Sequence, residues 1–553
     1  MLAGMETTAY EYETVRIDHL GIVAGICKQI DLVNIIDQSL PTPSGRKVSC
    51  GQATLAMVLN ALGLTGRALY LMPEYMSNKP VDILVGEGLE AQDFNDDTLG
   101  RALDELFQAG ITELFARVAA KAVAVFNIEH QYVHLDTSSF SLHGTYESEV
   151  AQEAVEARGA IQVTHGYSKE KRPDLKQVLV SLITSQQSAL PLWLEALDGN
   201  SSDKKSFPAT VAAYCRQLAE AELPWFIMDS ASYSKENLAQ WGRVRWLTRV
   251  PETIAAAKRA LQAVATEEMR ELESGYRVHA LSNNYGKVQQ RWLVVYSPQA
   301  WEREGKQLDK QVARASEKAA QALRQLTQVQ FECEADARKA VQRLHKKLKW
   351  HTLQVQYEPI ARYRQPGRPA KGVLPTVVGW KVKGQVVAND EAVAQARQWL
   401  GRFLLATNEL DTNRLPDTEI VAAYKAQGYS VERGFRFLKD PMFFADSLFL
   451  KSPARIMAMI MVMGLSLLVY ALAERELRWQ LEAQGETLPD QKGKPTQTPT
   501  MRRVAQIFEG IDILVIRLGK QVVERKVLNL SEVRLKIIRL LGPEVEKCYL
   551  VEI

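Results

Sequence analysis

Cysteine is scarce. The 553 residues hold five, Cys27, Cys50, Cys215, Cys333 and Cys548, scattered along the chain. None falls in a CxxC or a His-paired spacing. That excludes a zinc ribbon and a disulfide framework, and fits reduced thiols in a cytoplasmic protein. Phosphate-cradling glycine loops are absent too, both the G-x-x-x-x-G-K-[ST] and the G-x-G-x-x-G kind. There are no internal repeats and no signal-peptide pattern at the start. Neither sign of charge dominates: 68 Lys and Arg face 65 Asp and Glu, a formal net charge of +3. Local charge therefore says more about partners than the total does. Long apolar runs are lacking save one, Ile456–Ala473, 18 residues without a charge. It is short for a membrane span, rich in Met and Ala, and edged by Arg455 and Glu474. A fully buried helix is expected there, and no membrane partner.

What is present is a set of carboxylates in an informative order. Tyr132–Ser138 (YVHLDTS) and Trp225–Ser230 (WFIMDS) are apolar, strand-like runs that lead into Asp136 and Asp229. Tyr424–Lys439 (YKAQGYSVERGFRFLK) reads as one amphipathic helix. Val431, Phe435 and Leu438 make its apolar stripe, and Glu432, Arg436 and Lys439 a neighbouring stripe at the same spacing. A lone strand-end aspartate usually caps a turn or helix. Two strand-borne aspartates with a helix-borne glutamate also supply the oxygen donors of a two-metal phosphoryl-transfer site, whose ions stand about 4 Å apart.

In that order the three stretches resemble the DDE transposases of bacterial insertion sequences, in the branch with a Y-x2-R-x3-E-x6-K signature around the third acid. Glu432 and Lys439 fit the E-x6-K half; position 425 is Lys and 428 is Gly where the pattern has Tyr and Arg. Gly166–Lys176 (GYSKEKRPDLK), Leu192–Lys205 and Gly401–Asn408 match as well. The resemblance covers roughly residues 130–475. It implies an α/β fold with an RNase H-like catalytic core. Asp136, Asp229 and Glu432 would hold two Mg²⁺, Mn²⁺ being a substitute, and Lys439 would hold a phosphate near the reacting group. Arg436 would do the same, or pair with Glu432 at i, i+4. Element ends and target DNA, both double-stranded, are the implied partners, with a homodimer on DNA because two ends are joined. A DNA-binding protein without catalysis, and a nuclease that cuts without joining, are the alternatives.

Five segments are expected. Residues 1–125 form a helical N-terminal domain, housing either a DNA-reading helix-turn-helix or a packing surface. Residues 126–250 are the first part of the core. Since Asp229 and Glu432 are 432 − 229 = 203 residues apart, an insertion with helices and strands is expected at 251–400. The core returns at 401–486, and 487–553 is a linker and tail. The loop Gly166–Lys176 is expected to be a solvated turn, and Asp203 to cap its helix.

The insertion carries the clearest charge signal. From Arg338 to Lys383 there are 12 Lys or Arg against one acid, Glu358. Arg343, Lys346, Lys347, Lys349, Arg364, Arg368 and Lys371 lie in it, with Trp350, Tyr357, Tyr363 and Trp380 interleaved. Contact with the DNA backbone is expected. Gln365–Lys371 (QPGRPAK) contains Gly-Arg-Pro, which suits a narrow minor groove with Arg368 inserted.

Overall fold

The structure, a computed structural model, describes residues 10–40, 45–65, 67–143, 159–218, 223–363, 374–440, 450, 452–519 and 521–550. The chain divides into two compact units. The first comprises residues 1–248, 284–288 and 407–553, the second 249–283 and 289–406.

The first unit opens with strand β1 (Tyr10–Arg16) and helices α1 (Leu20–Gln29), α2 (Leu32–Gln38), α3 (Cys50–Leu62), α4 (Asp96–Ala109) and α5 (Ile111–Phe126). The apolar periodicity of 17–36 predicts one helix. The chain instead breaks at Asp31, which takes a left-handed φ of 56° and starts α2. Local chemistry sets the other starts. Ser49 and Gln52 form a reciprocal capping box on α3, and Asn95 accepts from the Thr98 amide at 3.0 Å to cap α4.

A mixed sheet follows: β2 (Tyr132–Leu142), β3 (Lys176–Ser185), β4 (Pro191–Leu197), then helix α6 (Asp203–Cys215), β5 (Trp225–Met228) and β6 (Arg245–Arg249). The spatial order is β4-β3-β2-β5-β6. The first three strands are antiparallel, and β2, β5 and β6 are parallel. The sequence suggests two short strands over 131–143; they are one strand, because β3 pairs with β2 without a break from Val133 to Leu142. Asp203 is the first residue of α6, and Ser202 holds the N-cap position.

The second unit contains most of β7 (Arg277–Tyr285), β8 (Val288–Tyr296) and β11 (Arg402–Thr407), with α7 (Pro298–Thr327), α8 (Glu334–His345), β9 (His351–Arg362) and β10 (Thr376–Ala388). β9 and β10 form a long antiparallel hairpin with a bulge between Ile360 and Ala361. A small core of Ala337, Val341 and Val382 fastens α8 to this hairpin, with Phe331, Leu353 and Tyr357 around it.

The chain then returns to the first unit with α9 (Asp417–Lys425), α10 (Val431–Leu438), α11 (Pro453–Ala483), β12 (Asp512–Leu518) and β13 (Gln521–Val527). α11 is apolar on all sides through its uncharged stretch, residues 456–473, as a helix must be when protein surrounds it. It packs on α1, α3, α4, α5 and β4, and 83% of its most apolar window is buried. Gly464 lets it approach Leu194 of β4 more closely than any side chain would allow. The ends of the chain share one small sheet. β1 pairs with β12 along its whole length, and β13 lies beyond. Two separated segments thus build one module, which local periodicity cannot reveal.

Candidate active site

The two aspartates come from adjacent parallel strands. The register pairs Tyr132 with Trp225 and runs to Leu135 with Met228. Asp136 and Asp229 are the residues that follow, Asp136 still on β2 and Asp229 just past the end of β5. Neighbouring strands lie about 4.8 Å apart, so the acids leave the sheet side by side. β5 stops there, whereas β2 continues along β3. The strand pairing therefore leaves a notch in the sheet at the two carboxylates, where β2 has no β5 residue beside it. Asp136 Oδ1 accepts from the Thr137 amide at 2.8 Å. Asp229 caps a short 3-10 turn, accepting from the Ala231 amide at 2.9 Å, while its carbonyl accepts from the Thr248 hydroxyl at 2.7 Å. Capping uses one carboxylate oxygen of Asp229 and does not by itself exclude it from a metal site.

Glu432 arrives on α10, and here the expected single helix Tyr424–Lys439 needs correction. α9 ends at Lys425, a 3-10 turn spans Ala426–Tyr429, and Ser430 leaves helical geometry with φ −103° and ψ −98°. The cause is a pair of buried hydrogen bonds. The Ser430 hydroxyl donates to the Ser185 carbonyl at 2.9 Å and lies 2.7 Å from the Thr184 hydroxyl. These tether the start of α10 to β3. Next, Gly434 sits where a Cβ would be 3.0 Å from Leu182 Cδ2. Leu182 is directly opposite Asp136 in the β2–β3 register, and opposed residues share a sheet face. So α10 lies on the face that Asp136 occupies.

The orientation of α10 follows from its two flanks. On one flank Arg433 pairs with Glu474 of α11, and α11 packs over β4. On the other, the Lys439 ammonium stands 5.1 Å from the centre of the Phe140 ring on β2. The flank carrying Glu432 and Lys439 therefore borders β2, beyond which β5 brings Asp229, while Arg436 lies on the exposed crest between the flanks. Glu432 is exposed, and its Oε2 turns back toward Gly428, 3.8 Å from where a Cβ would lie there. Glu432 and Arg436 form no ion pair with each other. Arg436 is exposed at the rim of a cavity of about 750 Å³ lined also by Tyr429, Arg475, Trp479 and Arg502.

The loop 166–176 is largely in solvent, as its charge suggests, but two of its side chains also make defined contacts beside Asp136 and α10. Gly166 and Gly199 approach too closely for any side chain, and the buried Gln177 amide donates to the Gly199 carbonyl at 2.7 Å. Lys171 turns the chain with φ 60°. Residues 169–174 are all exposed, and of these Lys169 reaches Asp136 and Glu170 reaches Lys439. The Lys169 ammonium donates to the Thr137 carbonyl at 2.6 Å and lies 3.9 Å from Asp136 Oδ1. Glu170 pairs with Lys439 at 2.9 Å. Burial pushes the Glu170 carboxyl up, but hydrogen bonds from Lys439 and Ser141 outweigh it and hold the pKa below its usual value. The sequence signal for this pair was Ser-Lys-Glu inside a matching stretch.

Strand, strand and helix thus supply carboxylate oxygens, the donors that suit Mg²⁺. The aspartate pair fits as the floor of such a site, and the Lys169 ammonium already places a cation against Asp136. Among the described residues no group of three His, Cys, Asp or Glu stands close enough to hold one ion. Glu432 would have to turn from Gly428 toward the notch to complete the set.

In the second unit, Arg343, Lys346, Lys347 and Lys349 are exposed around the end of α8. They make no ion pair with any described residue, whereas Arg338, Lys339 and Lys383 pair with Glu334, Asp336 and Glu358. Lys349 lies 4.2 Å from the Trp350 ring centre. Cations also suit a helix C-terminus without any partner. Arg364, Arg368 and Lys371 lie outside the described residues.

Residues 130–470 match the family model described as the transposase DDE domain. Residues 12–120 match a domain of unknown function, DUF4277. No curated protein matches. Among solved structures, a piggyBac transposase synaptic complex with hairpin DNA is similar at 8% identity and a TM-score of 0.36, covering 90% of this chain and 82% of that one.

Proposed function

The chain belongs to the transposase DDE-domain family, whose match spans all three acids, and from that premise we propose that it cuts the ends of an insertion sequence and joins them to target DNA by two-metal phosphoryl transfer. The observation that carries this proposal is the register of β2 and β5, which sets Asp136 beside Asp229 under the face covered by α10. The order of three antiparallel and two parallel strands supports an RNase H-like core.

Asp136, Asp229 and Glu432 would hold two Mg²⁺. Bound there, the ions would supply Lewis acidity and a lowered pKa for an attacking water. The protein's own groups do the rest. β2 and β5 fix the aspartates on rigid strands. Lys439, about two turns beyond Glu432 on the same flank, holds a neighbouring phosphate once Glu170 gives way to it. Arg436 is open to a further phosphate. Arg343, Lys346, Lys347, Lys349, Arg364, Arg368 and Lys371 track the DNA backbone outside the chemistry. Joining two ends calls for a homodimer on DNA. A cytoplasmic protein associated with the nucleoid is consistent with the free cysteines, and the burial of α11 supports a protein without a membrane partner.

The experiment is strand transfer with pre-cut terminal repeats from the DNA flanking the gene. Joined products in Mg²⁺ support a transposase; cutting of intact ends without joining would reassign the protein as a nuclease. Replacing Lys346 and Lys347 by Ala together should weaken binding alike for all DNA sequences. The slope of log K against log salt should become shallower by about 0.9 for each phosphate that is no longer neutralised. An unchanged slope in a filter-binding titration would remove both residues from the interface.

A further inference from the structure

We propose that Lys169 is a further catalytic residue, a built-in cation that faces Asp136 before the reaction and meets the transferring phosphate during it. The inference rests on the phosphoryl-transfer function proposed above and adds a residue to it.

The geometry is specific. The Lys169 ammonium donates to the Thr137 carbonyl, one residue past Asp136, and approaches Asp136 Oδ1 to 3.9 Å. It therefore lies in the notch that opens where β5 ends. The loop shape does not depend on this side chain. The Lys169 amide donates to Ser139 at 3.1 Å, the Arg172 amide donates to the Ser168 hydroxyl at 3.1 Å, and Gln177 ties the loop to Gly199. Glu170 anchors the same loop to Lys439 on α10. The dipeptide Lys169–Glu170 thus spans from the strand of the first acid to the helix of the third.

Position assigns the chemistry. In strand cleavage a water oxygen bonds to phosphorus while the P–O3′ bond breaks. The water gives up a proton to solvent and the departing 3′ oxygen takes one up. Charge gathers on the non-bridging oxygens. A phosphate held over Asp136 lies within reach of an ammonium already 3.9 Å from that carboxylate. The same ammonium competes with any metal cation for Asp136, so the two roles carry opposite signatures. Removing Lys169 should strengthen metal binding and weaken catalysis, whereas damage to the fold would weaken both.

The test uses the full chain with Lys169→Met, and Lys169→Gln as the variant that retains a donor for the Thr137 carbonyl. Mn²⁺ binding without DNA is titrated by electron paramagnetic resonance, and cleavage of labelled terminal repeats is followed in Mg²⁺. Loss of a unit charge at this distance predicts Mn²⁺ bound about fivefold tighter or more. Loss of a donor to the developing charge predicts cleavage slowed about 100-fold. Thermal melts identify which variant folds, and either one that folds decides the matter. Unchanged or weaker Mn²⁺ binding, or undiminished cleavage, would overturn the proposal. An Asp136→Asn control separates the two levels. If that control binds Mn²⁺ and cleaves normally, the active site itself is misplaced; if it fails while the Lys169 variants behave as wild type, only the role of Lys169 falls.

Discussion

Asp136→Asn is expected to slow DNA cleavage by at least about 1000-fold while leaving DNA affinity within about twofold of wild type. The substitution keeps the size of the side chain and an oxygen for the Thr137 amide. It removes the charge that would hold a divalent cation and that now faces Lys169. Phosphate contacts dominate affinity for DNA, and the basic residues around the end of α8 are not part of this strand. Gel shift and cleavage assays on the same preparation check both halves. Full cleavage by the variant in Mg²⁺ would remove Asp136 from the site. Loss of binding and cleavage together would mean that the substitution damaged β2 instead.

The second large effect concerns the support of α10. Glu474 is buried within α11, and it accepts from Arg433 of α10, from Arg478 at 2.8 Å and from the Met501 amide at 3.1 Å. Glu474→Ala leaves an amide and two guanidinium groups without their acceptor. Arg433 and Arg478 are about a third exposed and regain water when Glu474 is lost, so the cost falls below that of a fully buried pair, about 3–5 kcal/mol, to roughly 1–3 kcal/mol with the Met501 amide left unpaired. The first unit should therefore melt at a lower temperature. At temperatures where the variant stays folded, α10 loses the tie on the flank opposite Glu432, so cleavage should fall with it. Differential scanning calorimetry and cleavage at low temperature check the two effects. An unchanged melting profile would show that Ser430 and Gly434 seat α10 without help.

The two strands that lead to Asp136 and Asp229 were legible because their pattern is local. Apolar runs ending at Asp136 and Asp229 announce strands, and an 18-residue uncharged run announces a buried helix. The expected apolar stripe Val431, Phe435 and Leu438 lies buried on α10, and Glu432 and Arg436 lie exposed beside it. The break before α10 was not legible. It depends on a hydroxyl at Ser430 finding partners on β3, roughly 245 residues away. Nor was the role of Lys169 and Glu170. Charge counting treats Gly166–Lys176 as one solvated segment, while the fold sorts it residue by residue through the close approach of Gly166 to Gly199. The shared sheet of β1 and β12 was hidden for the same reason, since its register joins the two ends of the chain.

The most direct measurement mixes the purified chain with labelled terminal repeats in Mg²⁺ or in Ca²⁺, beside the Glu432→Gln variant. Cleavage at the repeat boundary in Mg²⁺ alone, lost in the variant, is the predicted result. Specific binding without cleavage in any metal, or a Glu432→Gln variant that cuts as well as wild type, would contradict a transposase built on these three acids.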